Sequence, residues 1–427
     1  MKVLVSQKGA REHFLAARAL HHRGALAKLV VDWYAPKNPV FQWVVSIVGK
    51  DRGKAAMAAR CDEIPDSMVR VTRLRSLWWK WKERTAASRG SSYGGLLETD
   101  AAFARAVARC KLPPHDVFFG YSYASLEALE AEKSRGKMTI LDQIDPGPAH
   151  FQLVAAEMDR HPDLAGSSKA FPTAYFSRVR QEWEIADVIV VNSEWSRKAL
   201  LAESVNPAKI EILPLAYEAE NGGRRREDRK QKSEVRPPTS DHRSLKVLWL
   251  GQVNVPKGIH YLMEAARLLE DEEIHFDVVG SISVFPATIA SAPGNMTFHG
   301  PVSRDGAAEW YRRSDVFVLP TLSDGFALTQ LEALAHGLPV IVTPNCGQVV
   351  ENGVTGFIIP ARDSPALAEA ILKFVRSRNL ASSMSPRCIE ASKGFSIGAY
   401  GRRLMEIINK HFKLGPAKST SQRYSFS

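Results

Sequence analysis

The chain has 427 residues, of which 45% are hydrophobic and 24% are charged. These fractions are typical of a globular protein, so they exclude a disordered chain, a fibrous chain and a disulfide scaffold. The length exceeds what one hydrophobic core usually supports and predicts two domains of about 200 residues each. The net charge of +11 indicates attraction to nucleic acid, anionic lipid or a phosphorylated ligand, without choosing among them.

The cysteines and the apolar stretches set the expected compartment. The four cysteines are far apart and form no C-x-x-C pair, which argues against a zinc knuckle or disulfide framework and favours a reducing cytoplasm. Residues 1–6 lack the layout of a signal peptide. The longest apolar patches, such as residues 41–48, are much shorter than the roughly 20 residues that a membrane span requires. We therefore expect a cytoplasmic protein that does not cross a bilayer.

Short runs of β-branched residues alternate with stretches of helical apolar spacing. The runs in the first half lie at residues 2–6, 29–32, 117–121, 138–141, 188–191 and 210–213. The runs in the second half lie at residues 245–251, 276–280, 296–300, 316–320 and 339–343. Strands that alternate with helices predict parallel sheets covered on both faces. The sequence therefore predicts two α/β domains of Rossmann-like type.

A polar segment at residues 221–243, rich in Gly, Pro and basic residues, separates the two sets of strands and is typical of a solvated linker. The predicted boundaries are an N-terminal domain over 1–217, a basic flexible linker over 218–244, a C-terminal domain over 245–395, and a helix with a flexible tail over 396–427. The predicted apolar face of that last helix carries Leu404, Ile407, Ile408 and Phe412.

The most informative stretch is residues 316–347. A strand ends at Pro320, a polar turn with Asp324 and Gly325 follows, and a helix begins near Ala327. The amides at the start of that helix would be free to bind phosphate; they belong to Phe326, Ala327, Leu328 and Thr329. Asp324 and Glu332, eight positions apart, would face the same crevice and bind sugar hydroxyls. From composition alone, a turn Asp that caps the helix and a solvent-facing Glu remain the alternative.

This stretch resembles the signature of the retaining glycosyltransferases of family 4, glycosyl transferases group 1. The family pattern E-G-F-G-hydrophobic, followed by E-A, appears here at 324–328 as Asp-Gly-Phe-Ala-Leu and then at Glu332 and Ala333. The resemblance implies that Asp324 binds the donor sugar and that Glu332 binds the ribose. Asp replaces the usual Glu, which shortens its reach to the sugar, and Ala327 replaces the usual Gly while keeping the backbone amide.

The similarity extends over most of the chain from residue 183 onward. Residues 251–265 resemble the first turn of the family's second domain, where a basic pair clamps the diphosphate. The resemblance implies that Gly251 and Lys257 bind the donor, while Gln252 stands where the family usually has Arg. Taken alone, Lys257 is more typical of a solvated loop cation, and the other matching segments favour phosphate binding. No D-x-D motif is present, so a metal-independent reaction without a cofactor is implied.

The family has the GT-B arrangement, which implies two Rossmann-like domains facing a central cleft and a final helix that crosses back to the first domain. The acceptor side is less explicit. Gly9 and Ala10 follow the first strand, where the family has a Gly-rich loop, although an ordinary turn is an equal alternative. Asp142 lies roughly where many relatives carry a His, and would orient the acceptor hydroxyl as a third catalytic residue beside Asp324 and Lys257; a capping or turn Asp is the alternative. His150 is expected to be a surface group.

A segment at residues 68–89 interleaves tryptophans with basic residues. Its apolar residues, including Val71 and Trp78, fall on one helical face. Indoles flanked by cations suit an interface with anionic lipids, whereas a helix that packs its tryptophans on its own sheet is an equal alternative. Peripheral contact with the inner surface of a membrane therefore stays open.

The sequence thus predicts a hexosyltransferase that uses a nucleotide-diphosphate sugar and acts on a saccharide or lipid-linked acceptor with retention of configuration. A nucleotide-sugar-binding protein without transfer activity is the alternative, because of the departures at Asp324 and Gln252. A nucleic-acid binder is disfavoured because the basic residues cluster in one segment and the linker. A nucleotide dehydrogenase is disfavoured because no G-x-G-x-x-G follows a predicted strand.

Overall fold

A computed structural model of the chain describes residues 1–35, 60–72, 92–165, 172–218 and 244–414. Residues 219–243 of the predicted linker, the tail from residue 415 and the tryptophans of the basic segment lie outside these residues, so their predictions are unchanged. None of the helices in the described ranges has the length and apolar composition that a bilayer crossing requires.

The first sheet is parallel and contains seven described strands in the order β3-β2-β1-β4-β5-β6-β7. The strands are β1 (Val3–Gln7), β2 (Leu26–Val31), β3 (Val69–Val71), β4 (Val117–Tyr121), β5 (Met138–Gln143), β6 (Val188–Val191) and β7 (Ile210–Ile212). The strand order reverses direction between β1 and β4, the point at which open α/β sheets bind ligands.

The second sheet is also parallel, and its six described strands have the order β10-β9-β8-β11-β12-β13. The strands are β8 (Leu245–Leu250), β9 (Ile274–Val279), β10 (Met296–Gly300), β11 (Val316–Leu319), β12 (Val340–Val342) and β13 (Gly356–Ile358). The carboxyl ends of β8 and β11, where this order reverses, lead into the two motifs that the sequence singles out. The prediction of two α/β domains is confirmed.

Helices cover both faces of each sheet. In the first domain they are α1 (Leu15–His22), α2 (Ser92–Ala108), α3 (Leu126–Ser134), α4 (Pro148–Arg160), α5 (Pro162–Ala165), α6 (Thr173–Ile185) and α7 (Glu194–Ala202). In the second domain they are α8 (Ile259–Leu268), α9 (Pro286–Ala290), α10 (Arg304–Arg313), α11 (Leu328–Ala335), α12 (Ser364–Arg376), α13 (Leu380–Lys393) and α14 (Ile397–Leu414). Short 3-10 turns lie at Arg11–Phe14, Asp66–Met68, Pro207–Lys209 and Val255–Lys257.

The start of the basic segment is a strand rather than a helix. Val69 and Val71 pair with Leu29 and Val31 of β2 and form the edge strand β3. The helical face predicted to include Val71 is therefore wrong at this residue, because the alternation of Val with Arg70 is that of a half-buried strand.

The last helix, α14, returns to the first domain and packs on α1. Leu404, Ile407 and Ile408 are buried as predicted. Phe412 is 48% exposed, so its assignment to the same buried face is wrong. The two helices are closely packed where Gly401 meets the end of α1, since a Cβ at Gly401 would lie 2.9 Å from Nε of Arg23.

Candidate active site

A cavity of about 330 Å³ lies between the two domains, at the carboxyl ends of both sheets. The first domain contributes Glu12, Ile144, Asn192 and Leu215 to its wall. The second domain contributes most of the predicted donor residues, which are Gly251, Gln252, Lys257, Asp324, Phe326, Ala327, Leu328 and Thr329. The cavity is the place where both sequence motifs meet.

Lys257 ends the 3-10 turn that follows β8. The turn is fixed by Asn254, whose side-chain oxygen accepts a hydrogen bond of 3.1 Å from the Lys257 amide. The ammonium group of Lys257 forms an ion pair with Asp324. Burial lowers the pKa of Lys257 to about 8. Lys257 is therefore a half-buried cation in the cavity and not a solvated loop residue.

Asp324 both stabilises the turn before α11 and pairs with the cation. Its Oδ1 accepts hydrogen bonds from the amides of Phe326 and Ala327, at 3.1 and 3.0 Å, and its Oδ2 binds Lys257. The expectation that all four amides at this turn are free is wrong, because the Asp324 carboxylate takes two of them. The amides of Leu328 and Thr329, in the first turn of α11, have no partner within a helix and stay available for a phosphate.

The backbone explains why glycine suits two positions of this motif. Ala327 has φ +60°, a left-handed conformation that costs an L-residue roughly 1–2 kcal/mol, so the usual Gly of the resembled family would relieve strain there. A Cβ on Gly325 would lie 2.8 Å from both Nδ2 of Asn192 and the carbonyl oxygen of Ile144. Gly325 therefore permits the close approach of the two domains beside the cavity.

Glu332 is one helical turn beyond Leu328 and is half-buried. Its Oε2 accepts a hydrogen bond of 2.8 Å from the hydroxyl of Tyr311, which is buried on α10. Glu332 does not line the cavity among the described residues. Its predicted role toward the ribose stays a prediction, with Tyr311 as the partner that orients its carboxylate.

Sequence reasoning missed the first-domain residues that close the cavity. Asn192, just after β6, donates a 3.0 Å hydrogen bond to the carbonyl of Ile144 and accepts one from Ser196. Trp195 donates to the hydroxyl of Ser323 across the domain boundary, at 3.0 Å. For Asn192 and Trp195 the available signals were the polar run that directly follows the predicted strand at 188–191 and the family resemblance of the chain from residue 183 onward.

The predicted acceptor-side residues lie at the carboxyl ends of strands in the first sheet. The amide of Gly9 donates to Asp32 at 2.7 Å, and Gly9 lines a second cavity of about 300 Å³. Ala10 packs against the core and lines neither of these two cavities among the described residues. Asp142 is 6% exposed at the end of β5, and burial, followed by the charge of Glu12, raises its pKa.

His150 lies in the cleft and not on the open surface. Burial lowers the pKa of His150, the charge of Asp145 opposes this shift, and the charge of Lys257 adds to it. Its Nδ1 atom is shielded from solvent without a hydrogen-bond partner in the described ranges. The expectation that His150 is a surface group is therefore wrong, since the start of α4 turns inward at Pro148, which is buried.

One further group could offer ligands to a metal ion. The candidate ligand atoms of Glu157, His161 and His260 lie within 4.8 Å of one another. However, the Glu157 carboxylate already accepts hydrogen bonds from Tyr261 and Arg362. A cation would have to displace that arginine, so we assign the group to the contact between α4 of the first domain and the second domain.

The fold and the cavity define a two-domain protein of the GT-B class. The structure is similar over 97% of the chain to sucrose-phosphate synthase from Thermosynechococcus elongatus, with a TM-score of 0.60 and 17% identity over all of that chain. It is similar over 96% of the chain to Anabaena HepE in complex with UDP, with a TM-score of 0.58 and 14% identity over all of that chain. These likenesses confirm the predicted fold.

Residues 244–377 match the family model described as glycosyl transferases group 1, which confirms the resemblance for the second domain. A D-inositol 3-phosphate glycosyltransferase from Kribbella flavida is 30% identical over 129 residues, covering 30% of this chain and 28% of the relative. A lipopolysaccharide core biosynthesis mannosyltransferase from Rhizobium meliloti is 36% identical over 104 residues, covering 23% of this chain and 30% of the relative. The matches therefore span less than a third of either relative.

Proposed function

We propose that the chain is a glycosyltransferase that moves a hexose-type sugar from a nucleotide-diphosphate donor to a saccharide or lipid-linked acceptor. The observation that carries the proposal is the meeting of Lys257 and Asp324 in the interdomain cavity, on the segment that matches the family model. The UDP bound in the HepE structure makes uridine nucleotides the first donors to test.

The bound donor would exchange partners with the ion pair. Its diphosphate replaces Asp324 as the counter-charge of Lys257 and meets the amides at the start of α11, where the helix dipole favours anions. The Asp324 carboxylate, released from the cation, then accepts hydrogen bonds from sugar hydroxyls. Glu332 accepts hydrogen bonds from the ribose.

Transfer then needs positioning and charge stabilisation. The bond between the anomeric carbon and the diphosphate oxygen breaks, and the acceptor oxygen bonds to that carbon from the same face, which retains the configuration. The acceptor proton passes to a phosphate oxygen. Lys257 stabilises the negative charge that develops on the leaving diphosphate. No step requires a metal ion, so we expect activity to persist in EDTA.

A thermal-shift screen with UDP-, GDP- and ADP-glucose tests donor binding. A donor at 100 times its Kd adds about 2.7 kcal/mol of stability and raises the melting temperature. Mass spectrometry of the same mixtures with added acceptors then separates transfer from binding. A rise in melting temperature without product would favour a nucleotide-sugar-binding protein without transfer activity. Gln252, which stands in place of a second cation, is the reason to consider that alternative.

The proposal includes peripheral contact with the cytoplasmic surface of a membrane, made by the basic segment at residues 68–89. Sedimentation with anionic vesicles at low salt, fading as salt rises, is expected if Trp78, Trp79 and Trp81 contact lipid, because salt screens the attraction. Equal recovery in the supernatant with and without vesicles would assign the segment to the interior of the protein.

A further inference from the structure

Four polar side chains meet at the carboxyl edge of the first sheet. Tyr121 and Asp142 are register partners on the neighbouring strands β4 and β5, and Glu12 lies in the turn after β1. Tyr400 arrives from α14, the helix that returns from the second domain. Tyr121 and Tyr400 are only 2% and 1% exposed and Asp142 is 6% exposed, while Glu12 is half-buried, so most of the cluster is shielded from bulk water.

Three atoms of this cluster lack a hydrogen-bond partner within the part of the chain that the structure describes: the hydroxyls of Tyr121 and Tyr400, and Oε2 of Glu12. Buried polar atoms are almost always paired with protein groups, a ligand or ordered water. Leaving one unpaired is costly, so three at one place indicate that a polar group from outside the protein binds among them.

The backbone holds Glu12 in this position against its own preference. Glu12, His13 and Phe14 have φ angles of +49°, +51° and +61°, three successive left-handed residues that are not glycine. That conformation is unfavourable for each of them, and strain of this kind concentrates at binding and active sites.

The electrostatics suit a neutral ligand with hydroxyl groups. Burial raises the pKa of Glu12 to about 7, against the charge of Arg11. Burial, followed by the charge of Glu12, raises the pKa of Asp142, also against Arg11. Both shifts favour the protonated, neutral carboxyls. Burial, and then the charges of Asp142 and Glu12, raises the pKa of Tyr400, which keeps its hydroxyl protonated. The cluster therefore offers both donors and acceptors, which a hydroxyl group matches, whereas burying a charged phosphate beside two carboxyl groups is costly.

The cluster also lies between the two cavities. Glu12 lines the donor cavity, and Tyr121 lines the second cavity beside Gly9. Resting on the proposed transferase function, we propose that Glu12, Tyr121, Asp142 and Tyr400 bind a hydroxyl of a neutral polyol acceptor and so determine which acceptors are used. The helix α14 thereby supplies Tyr400 as a specificity residue of the acceptor site, in addition to packing on the first domain.

Tyr121→Phe and Tyr400→Phe test this assignment, because each removes a hydroxyl and keeps the ring. The matched control is Tyr34→Phe, whose hydroxyl donates a 2.6 Å hydrogen bond to the carbonyl of Cys61 and lines neither cavity. Since the cluster hydroxyls have no partner among the described residues, Tyr121→Phe and Tyr400→Phe should melt at or above the wild-type temperature. Tyr34→Phe should melt about 2–4 °C lower.

Saturation-transfer NMR on the full chain measures binding of four neutral probes: glucose, galactose, mannose and myo-inositol. At least one should bind the wild type and Tyr34→Phe equally, and bind Tyr121→Phe and Tyr400→Phe about tenfold more weakly. Glucose 6-phosphate should bind more weakly than glucose.

The assignment is overturned if none of the neutral probes binds the wild type, if the Tyr121 and Tyr400 variants bind as tightly as the control, or if the phosphorylated sugar is preferred. If these binding tests fail while a nucleotide sugar raises the melting temperature, only the acceptor assignment is wrong. If none of the three nucleotide sugars raises the melting temperature, the transferase proposal itself is contradicted, regardless of saccharide binding.

Discussion

The two walls of the interdomain cavity are built differently. The second-domain wall comes from two short stretches, around Lys257 and Asp324, each directly after a strand. The first-domain wall comes from single residues that are far apart in the sequence, such as Glu12 and Asn192. A contiguous loop and helix start can be recognised as a motif, whereas residues assembled from several strand ends cannot. This is why the donor side is apparent from sequence and the acceptor side is not.

The walls also differ in how their polar groups are paired. Lys257 and Asp324 neutralise each other, so a donor must exchange partners with both of them. Around Glu12, Tyr121 and Tyr400, atoms lack partners in the described portion of the chain, so an acceptor would supply new ones. Loss of a donor-wall residue should therefore affect turnover strongly, while loss of an acceptor-wall hydroxyl should affect binding and leave stability intact.

The largest expected effect is that of Lys257→Ala. Removing a group that stabilises developing charge lowers kcat by about 10²–10³, and transfer assays should show a loss of this size with a small change in melting temperature. Lys393→Ala is the matched control, because Lys393 also pairs with a carboxylate, that of Glu390, but is 65% exposed on α13. Equal activities of the two variants would make Lys257 a structural residue.

A second expected effect concerns the contact that holds the walls together. Glu157 on α4 is fully buried and accepts hydrogen bonds from His260 and Arg362 of the second domain, at 3.1 and 2.8 Å. Breaking such a buried ionic network costs on the order of 3 kcal/mol. Glu157→Gln should therefore lower the urea midpoint at pH 7, whereas Glu369→Gln, in an exposed pair with Arg376, should change it little.

The pH dependence of that loss has a definite sign. Burial acts to raise the pKa of Glu157, but hydrogen bonds from Tyr261, Arg362 and His260 outweigh burial and lower the pKa from 4.5 to about 2. A lowered pKa contributes stability that is complete above pH 4.5 and is lost as pH falls toward 2. The difference between wild type and Glu157→Gln should thus shrink between pH 5 and pH 3, and a difference that grows would contradict the ionic role.

A smaller effect is expected from Glu332→Ala. Lost hydrogen bonds to a charged acceptor cost about 1.5–3 kcal/mol, so the Kd for the free nucleotide should rise at least tenfold in isothermal titration. Tyr311→Phe keeps the carboxylate and removes only its 2.8 Å partner, so it should weaken binding less. Unchanged nucleotide affinity in a folded Glu332→Ala protein would remove the ribose assignment.

The smallest effect distinguishes backbone strain from helix propensity. Ala327→Gly should leave the unfolding free energy within about 0.5 kcal/mol of wild type or raise it, because glycine accepts φ +60°. The same substitution at Ala101, in the middle of α2, should cost about 1 kcal/mol. Urea unfolding measures both, and equal losses would mean that the turn at Ala327 is not strained.

The sequence predicted the parts of the molecule that local patterns encode. The central strands follow from short β-branched runs, and the helix start at Leu328 follows from the turn before it. Two kinds of feature were not predictable. The edge strand β3 is only Val69–Val71, too short for its alternation to stand out. The pairing of Glu332 with Tyr311 and the return of Tyr400 to the first sheet depend on tertiary packing, which no local spacing records.

The most direct test of the donor site compares two aspartates whose side chains both accept hydrogen bonds from backbone amides. Asp324 accepts from the amides of Phe326 and Ala327, in the turn just before α11, and Asp363 accepts one of 2.8 Å from Ala366 at the start of α12, away from the cavity. Asn keeps a side-chain oxygen that can accept from the same amides, so Asp324→Asn and Asp363→Asn should have similar melting temperatures. With the donor from the thermal-shift screen and neutral saccharide acceptors, mass spectrometry should find wild-type product levels for Asp363→Asn and a loss of about 100-fold for Asp324→Asn. Equal product from the two variants, or no product from the wild type, would contradict a transferase whose chemistry depends on Asp324.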